Sequence, residues 1–153
     1  MKIRVEDVFD AATALPGHDR CAGLHGHTFT VEVEVVGVPV DGLMTDFREV
    51  RRRLREAIQP YDQMDLSQQF EYPSCETLCI DIAKKLVLSQ PGLALVRIWE
   101  GVGKWVELDG AAIKSRASIE PGHKIVFRFY THKGLCEIIY ERRLAELGQT
   151  HLG

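Results

Sequence analysis

Residues 28–35 read Thr-Phe-Thr-Val-Glu-Val-Glu-Val, a strict alternation of polar and apolar side chains. Successive side chains of a β-strand point to opposite faces, so this segment has one apolar and one polar face. It therefore predicts a sheet that is buried on one face and wet on the other. The apolar positions are Phe29, Val31, Val33 and Val35, and the polar positions are Thr28, Thr30, Glu32 and Glu34.

Three further strands are predicted around this one. Residues 3–9 alternate approximately before a turn at Pro16-Gly17, and residues 93–100 and 104–108 form two strand signals separated by Gly101-Val102-Gly103. A short glycine-containing connection between two such runs is typical of a hairpin. Consecutive hairpins indicate an antiparallel sheet.

Two amphipathic helices are predicted between the strand pairs. The first has Asp46 as N-cap and Glu49 as its capping-box partner, and it ends before Pro60. The second begins after Ser74 as N-cap and ends near Gln90. The order strand, strand, helix, helix, strand, strand predicts an α+β domain with both helices on one face of the sheet.

Length and charge exclude several classes of protein. The chain has 153 residues and a formal net charge of −3, which fits one globular domain and gives no general attraction to nucleic acid. No apolar run is long enough to span a membrane, and charges occupy the N-terminus where a signal peptide is hydrophobic. We therefore expect a cytoplasmic protein that binds neither nucleic acid nor membrane, with its four cysteines reduced.

His25-Gly26-His27 stands at the entry to the central strand. Residues two apart on a strand share a face, so both imidazoles can converge on one zinc ion, or they are simply hydrogen-bonded polar side chains. Cys21 lies just upstream in a loop, where a neighbouring dication and Arg20 would favour its thiolate. Cys79, flanked by apolar helix residues, is predicted to be a core residue.

Seven motifs follow one another in order over residues 1–108. They are Phe9-Asp10-Ala11-Ala12, Leu15-Pro16-Gly17, Cys21-x-x-Leu24-His25-Gly26-His27, Gly42-Leu43-Met44-Thr45-Asp46-Phe47, Tyr61-Asp62-Gln63-Met64-Asp65-Leu66, Pro73-Ser74-Cys75-Glu76, and Val96-Arg97-Ile98-Trp99-Glu100. Together they resemble the 6-pyruvoyl-tetrahydropterin synthase and 6-carboxy-tetrahydropterin synthase family.

The resemblance implies a tunnelling fold (T-fold), a four-stranded antiparallel sheet with two helices on one face, whose copies join into a barrel. It also implies a homo-oligomer, a dimer of trimers, with active sites between subunits. Members of the family bind zinc through three histidines and act on 7,8-dihydroneopterin triphosphate. Their products are the pyruvoyl compound or the carboxy compound of queuosine-type biosynthesis.

The site residues are carried over from the same resemblance. The implied zinc ligands are His25 and His27, and the implied catalytic residues are Cys21 and Asp62. The implied substrate-binding residues are Glu100, which anchors the pterin ring, and Ser74 and Glu76. A carboxylate facing a 2-amino-pyrimidinone accepts two hydrogen bonds from it, so a glutamate is suited to this task.

Two positions depart from the family pattern. Thr13 stands where the third zinc-binding histidine is expected, and Gln63 stands where a histidine follows the aspartate. Threonine is a poor zinc ligand and glutamine does not exchange a proton at neutral pH. The third ligand is then His18, a water, or a histidine of the C-terminal extension, where His123, His132 and His151 occur.

Residues 1–109 are expected to form the pterin-synthase-like domain, with residues 110–153 as an extension packed on it.

Three functions follow from the matching motifs taken together with the two departures. We expect a zinc-dependent pterin lyase whose chemistry is altered by Thr13 and Gln63. The alternative is a non-catalytic member that binds a pterin or purine-like ligand or serves as an assembly partner, and a third possibility is aldolase-type cleavage of dihydroneopterin.

Overall fold

The computed structural model describes residues 1–110, 117–120, 124–131 and 134–141, with side chains over residues 1–110. The chain divides into two compact units, Met1–Gly110 and Ala111–Gly153. The packing of the extension on the first unit stays a prediction. No helix in the described part of the chain has the length and apolarity needed to cross a membrane.

The first unit contains a five-stranded sheet in the order β3-β1-β2-β4-β5. Its strands are β1 (Lys2–Thr13), β2 (His25–Val36), β3 (Met64–Asp65), β4 (Leu93–Glu100) and β5 (Trp105–Asp109). The four long strands are antiparallel, as predicted. β3 runs parallel to β1 and was not predicted, because two residues are too short to show a periodicity.

The two predicted helices are α1 (Phe47–Ile58) and α2 (Cys75–Ser89). Asp46 caps α1 by accepting from the backbone N–H of Arg48 at 2.8 Å, and Ser74 caps α2 by accepting from the N–H of Thr77 at 3.3 Å. Both N-caps are therefore confirmed. The capping box is not formed by Glu49, because its carboxylate is held by the guanidinium of Arg52 instead.

The apolar face of β2 forms the core, as the alternation predicts. Phe29, Val31, Val33 and Val35 are all buried, together with the helix residues that cover them. Phe9 of β1 stacks on Phe29 with ring centroids 5.0 Å apart. The large, fully buried helix residues include Leu54, Ile58, Leu78, Ile82 and Leu86.

The polar face contains one exception to the predicted pattern. Glu32 was expected to be wet, but it is 0% exposed. Its neighbours in register are Arg97 on β4 and Glu6 on β1. Arg97 Nη1 donates to Glu32 Oε1 at 2.8 Å, and Arg4 Nη1 lies 3.2 Å from Oε2. Long cross-strand side chains thus cover a carboxylate that the alternation alone places in solvent.

The second unit contains an antiparallel sheet in the order β6-β7-β8. Its strands are β6 (Ala117–Glu120), β7 (Lys124–Thr131) and β8 (Gly134–Glu141). The sequence from Lys124 to Tyr130 predicts a strand, which β7 confirms. Residues 136–147 are predicted as a strand followed by a helix, and β8 covers the first part of this segment. The helix predicted after it, up to residue 147, lies outside the described residues.

Candidate functional site

Two histidines and a glutamate share one end of the sheet. His25 and His27 are two apart on β2, and Phe29, two further along, pairs in register with Glu100 of β4. Residues directly opposite on antiparallel strands have their side chains on the same face. All three side chains therefore lie on the face that the helices cover, beyond the end of the apolar core.

His25 is held in one tautomer. Its Nδ1 lies 2.8 Å from the carbonyl oxygen of Gly23, which accepts only, so Nδ1 carries the proton. This leaves Nε2 with a free lone pair, the arrangement usual for a metal-binding histidine. The ring of His27 is 4.8 Å away, edge-on at 86°.

Glu100 lies between the side chains of His27 and Lys104. His27 Nε2 is 3.2 Å from Oε1, and Lys104 Nζ donates to Oε2 at 3.2 Å. Gly101 and Gly103 both have positive φ, which gives the tight turn that returns Lys104 to Glu100. Lys104 was not predicted as a site residue, although its place after Gly-x-Gly in the predicted hairpin puts it opposite Glu100.

The N-terminus of α2 adds its first residues to this end of the sheet. The pKa of the Cys75 thiol is raised to about 12, mainly by burial, and the nearby charges of Glu100 and Glu76 contribute in the same direction. These carboxylates therefore lie near Cys75, next to the N-cap Ser74. Ser74 and the exposed Glu76, two of the predicted substrate-binding residues, flank Cys75 at the start of α2.

Thr13 lies on the same face of the sheet as His25, but its hydroxyl is hydrogen-bonded to the segment before α2. It lies opposite His25 in register and is 2% exposed. Its Oγ1 donates a hydrogen bond of 3.0 Å to the carbonyl oxygen of Pro73, just before α2. The hydroxyl therefore fixes the start of the helix.

The side chains described supply only part of a zinc site. His25 and His27 are suitable donors on one face, but within residues 1–110 no three His, Cys, Asp or Glu side chains gather as metal ligands. His18 accepts two backbone hydrogen bonds through Nδ1, so only its Nε2 is free for a metal. His123, His132 and His151 lie outside the described residues. A three-ligand site thus does not fit the described side chains by themselves.

The two predicted catalytic residues are not brought together. Cys21 is half-buried in the loop between β1 and β2, whereas Asp62 lies at the outer edge of β1, where its Oδ1 accepts from the N–H of Asp10 at 3.1 Å. No described hydrogen bond or ion pair joins Asp62 to Cys21. Gln63, beside Asp62, has a left-handed backbone with φ 62° and borders an open groove of about 480 Å³.

Cys79 is a core residue, as predicted. It is 2% exposed and its Sγ points at the carbonyl oxygen of Val96, 3.6 Å away. Burial raises the pKa of this thiol to about 12. Its thiolate is therefore not available for chemistry near neutral pH.

Comparison with known families identifies the first unit. Residues 2–111 match the family model described as 6-pyruvoyl tetrahydropterin synthase. The chain belongs to this family. The match includes the whole sheet, both helices and every site residue carried over by resemblance.

Two curated proteins are similar to this family member. A putative 6-carboxy-5,6,7,8-tetrahydropterin synthase of Archaeoglobus fulgidus is 36% identical over 109 residues, which covers 71% of this chain and 95% of that protein. A dihydroneopterin monophosphate aldolase of Pyrococcus furiosus is 31% identical over 104 residues, which covers 66% of this chain and 90% of that protein.

Solved structures share the T-fold. The 6-pyruvoyl tetrahydropterin synthase of Caenorhabditis elegans superposes with a TM-score of 0.65 at 20% identity, over 72% of this chain and 95% of that one. An uncharacterized protein of Wolinella succinogenes gives 0.61 at 14% identity, over 71% and 97% of the two chains. The predicted fold class is thereby confirmed.

Proposed function

We propose that this protein is a lyase acting on the side chain of a phosphorylated dihydroneopterin, with 7,8-dihydroneopterin triphosphate as its first candidate substrate. The observation that carries the proposal is the Glu100 carboxylate, placed between His27 and Lys104 beside the start of α2. Membership of the pterin synthase family and the two similar proteins support the same substrate class.

Glu100 recognises the ring in this proposal. Its carboxylate accepts two hydrogen bonds from the 2-amino group and the adjacent ring N–H of a pterin, which compete with its contacts to His27 and Lys104. A hydrogen bond to a charged acceptor contributes about 1.5–3 kcal/mol, so one glutamate contributes much of the selectivity for this heterocycle. Ser74 and Glu76, at the start of α2, line the same position.

Cys21 transfers the proton at the substrate side chain. Loss of a proton from a side-chain carbon begins elimination of the phosphate, whereas loss of a proton from a side-chain hydroxyl begins aldolase-type cleavage of a carbon–carbon bond. The thiolate of a positioned cysteine is a suitable base for either proton. Asp62 is the proposed acidic partner. Because Asp62 lies at the outer edge of β1, we place it in the site of a neighbouring subunit rather than in its own.

The proposed assembly is a homo-oligomer, a dimer of trimers, in which sheets join at their edges. β1 is covered by β3 only at Ala11 and Ala12, and β5 is the last strand at the other edge. Along the β1 edge, Arg51 donates to the carbonyl oxygen of Glu6 at 3.2 Å. An edge satisfied by side chains in this way is available for exchange with the strand of a second copy.

Zinc is the proposed metal, with His25 and His27 as the two ligands that the described residues offer. The candidates for the third ligand are His18, a water and the three histidines after residue 110. Bound zinc would polarise side-chain hydroxyl oxygens of the substrate. Since the described donors are incomplete, we assign no step of the reaction to the metal.

A non-catalytic pterin-binding protein is the second candidate. Two observations favour it: the hydroxyl of Thr13 is committed to Pro73, and Gln63 replaces a group that exchanges protons. This candidate retains the role of Glu100 and removes that of Cys21.

The deciding experiment measures turnover and metal content on the same preparations. Wild type, Glu100→Gln and Cys21→Ala are incubated with the triphosphate and the monophosphate of 7,8-dihydroneopterin, and the products are separated by chromatography. We expect turnover by the wild type and its loss in both variants, with Glu56→Gln on the exposed face of α1 as the matched control. Pterin binding without turnover of either phosphate would exclude the lyase and leave the second candidate.

Measurement of the metal content tests which side chains bind zinc. We expect His25→Ala to lower the zinc per chain, as measured by elemental analysis. Equal zinc in wild type and His25→Ala would contradict the proposed ligand. Thr13→His supplies an imidazole opposite His25 and is expected to raise the zinc content of a partly occupied wild type.

A further inference from the structure

The loop that carries Cys21 closes on itself through backbone hydrogen bonds. The N–H of Leu15 donates to the carbonyl oxygen of Cys21 at 2.7 Å, and the N–H of His18 donates to the carbonyl oxygen of Leu15 at 3.1 Å. We call residues 15–21 the thiol loop. These two bonds hold its ends together but leave open how the chain turns from His18 into Cys21.

His18 makes that turn with its side chain. Its Nδ1 accepts from the backbone N–H of Arg20 at 3.3 Å and from that of Cys21 at 3.2 Å. Asparagine and aspartate often stabilise turns in this way, with a side-chain oxygen that accepts from the backbone two or three residues on. Here a ring nitrogen takes the place of that oxygen.

Packing does not hold the thiol loop in place. Residues 16–20 are exposed, and Cys21 is only half-buried. Within the loop, the ring of His18 provides the side-chain hydrogen bonds described for residues 15–21. Its loss would therefore release two N–H groups to water and widen the range of thiol positions without disturbing the core.

We propose that His18 is a positioning residue for Cys21. It acts through the backbone of the thiol loop, by accepting from the N–H of the residue whose thiol reacts. The inference rests on the proposed function, in which Cys21 transfers a proton. It assigns to His18 a role other than that of third zinc ligand, and one that an asparagine can also fill.

The test compares His18→Ala with His18→Asn, since the asparagine oxygen restores the acceptor at the same reach but supplies no imidazole. Asp19→Ala, an exposed neighbour in the same loop, is the control. We expect His18→Ala to lower kcat about 10-fold with KM changed less than 2-fold. We expect His18→Asn and the control to stay within 2-fold of wild type in both constants.

A second readout does not depend on turnover. The rate at which iodoacetamide modifies Cys21 is measured by mass spectrometry for each variant, with the unfolding transition followed by circular dichroism as a check on folding. We expect the rate to rise at least 3-fold in His18→Ala, because the half-buried thiol is released, and to return to the wild-type value in His18→Asn. This comparison holds even where the wild type has no lyase activity.

Two results would overturn the inference. One is a wild-type alkylation rate and wild-type kinetics in His18→Ala, which would leave the ring without effect on the thiol. The other is an equal loss of kcat in His18→Ala and His18→Asn together with a fall in zinc content. That result would make the imidazole a zinc ligand rather than the group that holds the turn.

Discussion

Thr13 and Pro73 are joined by a buried hydrogen bond of 3.0 Å between a β1 hydroxyl and the carbonyl that precedes α2. The position that the family resemblance assigns to a zinc-binding histidine therefore has a structural task in this chain. It ties the end of a strand to the beginning of the helix whose first residues lie near Glu100.

Removal of that hydroxyl is expected to destabilise the domain. Thr13→Val keeps the shape of the side chain but leaves the Pro73 carbonyl without its donor, at a cost of about 1–3 kcal/mol in the free energy of unfolding. Thr13→Ser retains the hydroxyl and is the matched control. Urea denaturation measures both, and equal stabilities of the two variants would show that the hydrogen bond contributes nothing.

Glu100→Gln is expected to weaken the binding of a pterin ring by about 10- to 150-fold, the equivalent of about 1.5–3 kcal/mol for hydrogen bonds to a charged acceptor. The quenching of pterin fluorescence on binding gives the dissociation constant. Glu107→Gln, on the neighbouring strand and on the opposite face of the sheet, is the control. A dissociation constant unchanged in Glu100→Gln would remove this carboxylate from ring recognition.

Lys104→Met tests the other side of the same carboxylate. An exposed ion pair contributes about 0–1 kcal/mol to stability, so we expect the free energy of unfolding to change by less than about 1 kcal/mol. If Glu100 binds the ring, its partner Lys104 competes with the ligand for Oε2, and pterin binding should tighten in the variant. Binding weakened by as much as in Glu100→Gln would instead indicate that Lys104 itself contacts the ligand.

Glu32 makes stability depend on pH. Burial raises the pKa of this carboxyl, and the charges of Arg97 and Arg4 offset only part of the shift. A folded state with a raised carboxyl pKa binds the proton more tightly than the unfolded chain does, so this group favours folding most at low pH. Its contribution falls as pH rises from the unfolded value near 4.5 through the folded pKa.

The comparison that checks this is wild type against Glu32→Gln, by urea denaturation at several pH values. We expect the unfolding free energy of the wild type to fall relative to the variant as pH rises through that window. Glu56→Gln is the surface control. A difference that stays constant, or that grows in favour of the wild type, would contradict the raised pKa.

The cysteines of α2 are expected to resist alkylation. A pKa of about 12 for Cys75 and Cys79 leaves about one thiolate in 10,000 at pH 8, whereas an ordinary thiol is substantially ionised there. Peptide mass spectrometry after iodoacetamide treatment should show both modified at least 100-fold more slowly than a free cysteine peptide. Rapid modification of either residue in the folded protein would show that its burial is not maintained.

The sequence predicted the elements better than the contacts. The alternation over residues 28–35 and the N-caps Asp46 and Ser74 are local signals. The structure confirms the strand and both caps that they predict. The burial of Glu32 depends on the cross-strand register with Arg97, which no local pattern specifies. The task of His18 was missed because turns are usually assigned from asparagine, aspartate, glycine and proline.

In the candidate site too, local patterns predict some features and long-range contacts determine the others. The face shared by His25 and His27 follows from strand periodicity, and Glu100 joins them through the pairing of Phe29 with β4. The separate position of Asp62 follows from its hydrogen bond to Asp10, across 52 residues of chain. Such long-range contacts are set by the packing of the whole domain.

The left-handed backbone at Gln63 has a consequence for how this family member could change. Among residues other than glycine, histidine is one of the few that are enriched in that conformation. The main chain at this position is thus already compatible with the residue that the family motif places there, and the codons for glutamine and histidine differ by a single base. A proton-exchanging side chain is one point mutation away, in nature or in the laboratory, with no remodelling of the loop.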